Sequence, residues 1–185
     1  MLGKGFTLPE ILIAMTIFLL MIVGIIFANL FGLKMFQMNE TKLTVTQWSR
    51  ETIGNITAEV HSCNSVLVGN VTNGDFEGLL NGETQQGTGL LIYPTTNPTN
   101  YIIYFVNPSD QTFRRTDQTG NAVILADSVT NTIIFTAQDL SGNVLTNNQN
   151  NQVIHLILEF YQPERFMQGA DYYKLETSVK QRVVQ

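Results

Sequence analysis

Cysteine, charged residues and basic clusters are all scarce in this sequence. Its single cysteine, Cys63, has no intramolecular partner, which excludes an internal disulfide. The fold must therefore depend on a packed core in any redox compartment. Charged residues make up 14% of the chain, with 10 Lys and Arg against 15 Asp and Glu and a net charge of −5. Because no run of Lys or Arg occurs, the composition argues against a nucleic-acid-binding face.

The short motifs of common catalytic and metal sites are also missing. Neither a Gly-x-Ser-x-Gly elbow nor a His-Glu-x-x-His helix occurs. His61 and Cys63 offer two metal ligands, too few for a structural zinc site, and His155 is remote in sequence. We expect a buried core thiol at Cys63, and a solvated strand end rather than a ligand clamp at Arg114 and Arg115. The sequence predicts no catalytic residue, no metal site and no cofactor.

A long uncharged segment lies near the N-terminus. From Ile11 to Leu33 there are 23 residues without a charge. A helix of that length spans about 34 Å, enough to cross a hydrocarbon core of roughly 30 Å. A secretory signal has a shorter apolar region followed by a small-x-small cleavage site, so we predict a retained transmembrane helix over residues 6–33. Lys residues flank both ends of this segment, so charge alone does not predict its orientation.

The residues just before this segment predict where its helix begins. Residues 7–10 read Thr-Leu-Pro-Glu, which fits a capping box with Thr7 as N-cap and Glu10 reaching back to the Thr7 backbone N–H. Pro9 falls in the first turn, where its missing N–H costs nothing. Phe6 and Ile11 are placed to pack across the cap as a hydrophobic staple.

Beyond the apolar segment, the pattern changes twice. Residues 34–63 contain no proline, and Ile53, Ile56, Val60 and Cys63 recur at helical spacing, which predicts an amphipathic continuation of the helix. Residues 64–185 alternate short apolar runs with turn residues and predict a β-rich head. Predicted strands are 65–68, 89–93, 101–106, 112–116, 122–126, 132–138, 153–161 and 172–182, with hairpin turns at 117–121 and 139–143 and an exposed Gly-rich loop at 73–88. An antiparallel sheet laid on one helix is an α+β fold.

Residues 4–14, which read Lys-Gly-Phe-Thr-Leu-Pro-Glu-Ile-Leu-Ile-Ala, resemble the class III leader of type IV pilins and type II secretion pseudopilins. The resemblance implies that prepilin peptidase cuts after Gly5, which makes residues 1–5 a leader peptide, and then N-methylates Phe6. It also implies that Glu10 pairs with the Phe6 amine of a neighbouring subunit during assembly. The alternative for Glu10 is that it only caps its own helix.

The resemblance further implies a pilin-like fold and a structural role. We expect a subunit, minor rather than major, of a type IV pilus or type II secretion pseudopilus, and not an enzyme. The partners would be other pilin or pseudopilin subunits and the inner-membrane assembly platform. The chain would be anchored once in the bacterial inner membrane, with an extracytoplasmic head, before it enters the filament.

The head is faintly similar to minor pilins and to the minor pseudopilin J group, through expected hairpins at 101–115 and 123–135 and a closing strand near 172–182. Its ending, Arg-Val-Val-Gln, departs from the Arg-Asn that often ends that strand in the family. Some pilin-like proteins bind calcium, which leaves a weak loop site open. The rival interpretation is a signal-anchored extracytoplasmic binding domain or enzyme.

Overall fold

A computed structural model describes residues 7–72, 74–147, 153–162 and 171–182 of the chain; the side chains of 37–49, 162 and 171 lie outside this description. One helix, α1, spans Leu8–Ser62, and the strands follow it. The chain forms two compact units, Met1–Thr46 and Gln47–Gln185. The predicted α+β fold, with a long N-terminal helix and an antiparallel β-rich head, is confirmed.

The first unit contains a helical segment suited to a membrane. Leu8–Phe36, 29 residues long, is the candidate membrane span in the described part of the chain, and none of its most apolar window is buried. The large side chains along it, such as Leu20 and Phe27, are exposed on all sides. A helix that is apolar all round requires either a protein interior or lipid around it.

The second unit contains the last turns of α1, and its described residues form ten strands. They are β1 Ser65–Thr72, β2 Asp75–Gly78, β3 Gln86–Gly87, β4 Gly89–Tyr93, β5 Ile102–Asn107, β6 Thr112–Asp117, β7 Val123–Ala126, β8 Phe135–Gln138, β9 Val153–Gln162 and β10 Asp171–Lys180. They form a six-stranded sheet in the order β2-β1-β4-β5-β6-β7 and a four-stranded sheet in the order β10-β9-β8-β3. All pairings between them are antiparallel.

Two sheets, rather than the single expected one, result from a change of partner at Thr88. β3 pairs with β8 in the smaller sheet, whereas β4 begins two residues later and pairs with β1 in the larger. At this crossing between the two sheets, the backbone of β3 lies very close to that of β1, because a Cβ added to Gly87 would lie 2.0 Å from the Gly69 carbonyl oxygen. The Thr88 hydroxyl accepts a hydrogen bond of 3.0 Å from the Val71 N–H, and the Thr88 N–H donates to Asn70 Oδ1 at 3.3 Å.

The eight predicted strands are all present, seven of them with shifted ends and β4 with the predicted bounds, and two further strands occur where the sequence predicted a loop. The exposed loop at 73–88 is therefore wrong: β2 and β3 lie within it, and Gln85 is fully buried. β2 is a short, polar edge strand, exposed along most of its length, so it has no apolar alternation to reveal it. β3 is only two residues long.

The hairpin expected at 123–135 is also wrong. β7 pairs with β6 in the larger sheet, while β8 pairs with β9 and β3 in the smaller. The chain changes direction at Ser128, whose φ is 59°, and the Thr130 N–H then donates to the Glu159 carbonyl oxygen at 2.9 Å. The hairpin expected at 101–115 is confirmed as β5–β6.

Both predicted hairpin turns are confirmed. Residues 117–121 join β6 to β7, with Gly120 at a φ of 76°. At residues 139–143 the Asp139 Oδ1 accepts the Asn143 N–H at 2.8 Å, and the chain returns to bridge Gln138 with Val144. In each turn the positive φ falls on a glycine, which accepts it without strain.

The main core lies between the end of α1 and the inner faces of both sheets. Ile56, Val60 and Cys63 of the predicted helical stripe are all buried in it. β1 and β4 contribute Val66, Val68, Leu90 and Ile92, and β9 contributes Ile154, Leu156, Leu158 and Phe160. A second, smaller cluster consists of Val71, Leu91, Ile103 and Phe105, with Phe76 packed against it.

Candidate functional site

The first turn of α1 is held by Thr7 and Glu10. The Thr7 backbone N–H donates to Glu10 Oε2 at 2.8 Å, and the Thr7 hydroxyl donates to the same oxygen at 2.8 Å. The Ile11 N–H donates to the Thr7 carbonyl oxygen at 3.3 Å. The predicted reach of Glu10 back to the N-cap is therefore present. The carboxylate contacts the N-cap residue of its own helix, near the positive end of the helix dipole.

The chemistry expected just ahead of this turn falls outside the described residues. Gly5, at the predicted cleavage site, and Phe6, the predicted N-methylation site, both precede Thr7. The hydrophobic staple between Phe6 and Ile11 and the assembly pair between Glu10 and the Phe6 amine likewise stay predictions.

Glu10 is chemically exceptional in the apolar segment. Between Thr7 and Phe36 the charged side chains are those of Glu10 and Lys34, at opposite ends. Thr16 satisfies its hydroxyl by donating to the Ile13 carbonyl oxygen at 2.8 Å, as polar side chains in membrane helices commonly do. A carboxylate at the edge of hydrocarbon is costly unless it finds a partner, so Glu10 is a natural point for recognition by a cation.

In the head, the expectation for the doubled arginines is wrong. Arg114 and Arg115 lie within β6, not at a solvated end, and both are ion-paired. Arg114 pairs with Asp110 in the preceding turn. Arg115 donates to Glu59 Oε1 of α1 at 2.9 Å through its terminal nitrogen. The strand therefore uses its basic side chains for internal contacts.

Glu59 connects the end of α1 to two strands. Besides Arg115 it accepts a hydrogen bond of 2.9 Å from the Tyr104 hydroxyl on β5. Burial, and then the nearby Glu59 carboxylate, raise the pKa of the Tyr104 phenol above its usual range. Glu59 and Arg115 are each about three-quarters covered at the side chain, so the pair is shielded from water. Sequence reasoning missed this cluster, because the only signal for it is a glutamate beside the apolar stripe of the helix.

The potential metal ligands have other partners. The Cys63 thiol is 2% exposed, donates to the Val60 carbonyl oxygen at 3.1 Å and has its pKa raised to about 11 by burial. The expected core thiol is therefore confirmed. The His61 ring nitrogen Nδ1 lies 3.2 Å from the Lys180 carbonyl oxygen. Within the described residues no group of three or more His, Cys, Asp or Glu side chains is arranged to hold a metal ion.

His155 lies in a polar network on β9 and β10. Its Nδ1 is 2.8 Å from the Ser178 hydroxyl, and its Nε2 is 3.3 Å from Glu176 Oε1. A hydroxyl, an imidazole and a carboxylate are the groups of an acyl-transfer triad, but such a site also needs an oxyanion hole and an enclosed substrate pocket. Ser178 and Glu176 are exposed side chains on one face of a regular strand, where the network can order the surface.

Comparison with known proteins assigns the N-terminal segment. Residues 3–26 match the family model described as the prokaryotic N-terminal methylation motif. No curated protein and no solved structure matches the chain. The motif includes Gly5, Phe6, Thr7 and Glu10, and it does not reach the head. The similarity of the head to the minor pseudopilin J group therefore stays a prediction.

Proposed function

Residues 3–26 carry the methylation motif of the type IV pilin and pseudopilin family, and on that premise we propose that the chain is a minor structural subunit of a type IV pilus or type II secretion pseudopilus. The observation that carries the proposal is that this motif overlaps the apolar helical segment Leu8–Phe36, whose most apolar window contains no buried residue. The motif implies processing by prepilin peptidase and assembly with other pilins in a membrane-associated system. Membrane anchoring fits both features.

The proposal also covers how the chain is processed and where in the cell it is located. Prepilin peptidase removes residues 1–5 and N-methylates Phe6. The loss of Lys4 changes the formal charge from −5 to −6. The processed chain is stored in the bacterial inner membrane with its head outside the cytoplasm. An inner-membrane assembly platform then moves it into the filament.

Glu10 is proposed to align each incoming subunit. Processing creates a positive amine at Phe6, and the Glu10 carboxylate is the anionic group next to it along the helix. Because this carboxylate already accepts two hydrogen bonds from Thr7, it is held at the helix start before any neighbour arrives. A single ion pair in apolar surroundings specifies alignment more than it stabilises.

The head is proposed to act through surface contacts, without turnover and without a cofactor. Support comes from the ordinary structural partners of its reactive side chains: Cys63 is buried, and Ser178 and His155 lie on a sheet face. The check is an esterase assay with p-nitrophenyl acetate, using the full chain and Ser178→Ala. Equal rates are expected, and a large loss in the variant would favour the rival enzyme.

The main test is mass spectrometry of the mature N-terminus in cells that contain prepilin peptidase. We expect a chain that begins with N-methyl-Phe6. The matched control is Gly5→Val, which should keep Met1 because the residue before the cut is changed. An intact Met1 in the unchanged chain, or cleavage after residue 33, would overturn the proposal.

A further inference from the structure

β10 is a long edge strand of the four-stranded sheet, and β9 is the only described strand to which it is hydrogen-bonded. It pairs with β9 through ten consecutive residue pairs, from Asp171 with Gln162 to Lys180 with Val153, without a register shift. Its other side has no partner strand among residues 7–72, 74–147, 153–162 and 171–182. The strand contains no proline and no bulge. A regular edge of this kind is a ready template for pairing with another strand.

The remaining sheet edges are blunted in the usual ways. β2 and β7 are four residues long, and the pairing of β7 is interrupted by a register shift between Phe113 and Arg114. β3 has two residues. Short or irregular edges discourage strand addition. Among the described strands, the head therefore offers one edge, β10, that is long and regular enough to accept a strand.

We propose that β10 is the docking site for β10 of a second copy of this chain. The two strands run antiparallel about a two-fold axis at Leu175, which continues the four-stranded sheet of one head into that of the other. Antiparallel addition at a sheet edge provides main-chain hydrogen bonds, and the side chains decide the register.

Charge selects this register. With Leu175 opposite Leu175, each Lys174 faces Glu176 of the other copy, so both charged pairs are opposite in sign. The nearest registers that keep the same faces together place Lys174 opposite Lys174, or Glu176 opposite Glu176. Opposite charges across a strand pair stabilise it and like charges destabilise it. Within one head Lys174 Nζ already contacts Glu176 Oε2 at 2.8 Å, so both groups stand at the edge on one face.

The core-facing side of β10 supports the same arrangement. Tyr173 contacts the buried Phe160 ring at a centroid distance of 6.4 Å, yet it is 39% exposed. Leu175 packs against the main core but is only partly buried. In the proposed register Leu175 covers Leu175, and Tyr173 lies opposite Thr177. A second strand thus covers the apolar groups that the last strand of the sheet leaves exposed.

The proposal can be tested by charge reversal in the full chain. Dimerisation in detergent micelles is measured by sedimentation velocity over a concentration series. The unchanged chain should form dimers. Lys174→Glu and Glu176→Lys each turn two attractive pairs into two repulsive ones, so each should weaken dimerisation about tenfold or more. A mixture of the two variants should form heterodimers, because the two glutamates of the first variant then face the two lysines of the second. If the substitutions act only by breaking the Lys174–Glu176 contact within one head, mixing the two variants should not restore association.

Disulfide crosslinking in membranes gives an independent measurement. Leu175→Cys places two thiols opposite each other, within reach of a disulfide, whereas Thr177→Cys places its two thiols about 13 Å apart along the strand. Rapid crosslinking of the first and little of the second is expected. The matched control for charge is Glu77→Lys on β2, which should leave the dimer unchanged. A monomeric unchanged chain, dimers insensitive to either reversal, failure of the mixed variants to associate, or equal crosslinking at 175 and 177 would each overturn the proposal.

Discussion

The Glu10 carboxylate has one observed partner and one proposed partner. It accepts two hydrogen bonds from Thr7, and the proposed function gives it the Phe6 amine of a neighbour as well. The first contact needs an acceptor oxygen, whereas the second needs a negative charge. Glutamine keeps the oxygen and loses the charge, which separates the two roles.

We therefore predict that Glu10→Gln is processed normally and fails to enter filaments. Glu10→Ala should fail in the same way and should also lose the helix-start contacts. Immunoblotting of sheared filaments measures incorporation, and mass spectrometry of the N-terminus measures processing. Normal incorporation of the glutamine variant would leave Glu10 with the capping role alone.

Cys63 provides a probe of the folded head. The thiol is 2% exposed, and burial raises its pKa to about 11 from a reference of 9.0. Because the raised pKa belongs to the folded state, the neutral thiol is favoured there. Its contribution to stability is complete below pH 9.0 and is lost as the pH rises through about 11.

We predict that Cys63 reacts slowly with a thiol reagent such as DTNB at pH 8 and rapidly after unfolding in urea, since the thiolate is the reactive form. The matched control is the double variant Cys63→Ser with Ser62→Cys, which moves the thiol to an exposed neighbouring position. That variant should react quickly without urea. Equal rates at the two positions would contradict a buried thiol.

Among the elements, those with a strong local pattern could be predicted from the sequence. The capping residues, the uncharged run and the absence of proline from residues 10–63 indicated a helix that the structure places at Leu8–Ser62. Apolar runs indicated eight of the ten described strands. β2 and β3 escaped because a short polar edge strand has no periodicity, and β3 is defined by its pairing with β8. Which sheet a strand joins depends on contacts distant in sequence, so the hairpin at 123–135 was wrong.

The crossing between the two sheets yields a prediction at this scale. Gly87→Ala would place its Cβ 2.0 Å from the Gly69 carbonyl oxygen, which belongs to backbone and cannot rotate away. We expect the variant to lose about 1–3 kcal/mol of stability, as overpacked sites do. Gly78→Ala is the matched control, because its Cβ would meet only the Phe76 ring at 3.8 Å. The urea midpoint, followed by Cys63 labelling, should fall for Gly87→Ala and stay nearly constant for Gly78→Ala.

At the scale of the whole molecule, a site can be predicted from the sequence when its residues lie close together along the chain. Gly5, Phe6 and Glu10 lie within one short motif, so the sequence alone is enough to predict roles for them; of these predictions, the structure shows the contact of Glu10 with Thr7. The Glu59–Arg115 pair joins residues 56 positions apart, and only the fold brings them together. The β10 edge is similar, because its sequence gives a strand while its unpaired side depends on the order of the sheet.

The membrane span gives the last prediction. Ile22 lies at the centre of Leu8–Phe36, so an arginine there would sit at the bilayer midplane. Insertion should become less favourable by about 2.5–3.5 kcal/mol, which lowers the share of the chain that resists extraction from membranes by alkaline carbonate. Leu33→Arg is the matched control, since an arginine next to Lys34 can extend its charge to the interface. If the chain must be held in the bilayer before it enters the filament, Ile22→Arg should also lower the amount of the chain found in filaments, whereas Leu33→Arg should leave that amount near normal. Full carbonate resistance of Ile22→Arg would instead show that Leu8–Phe36 is held by something other than lipid.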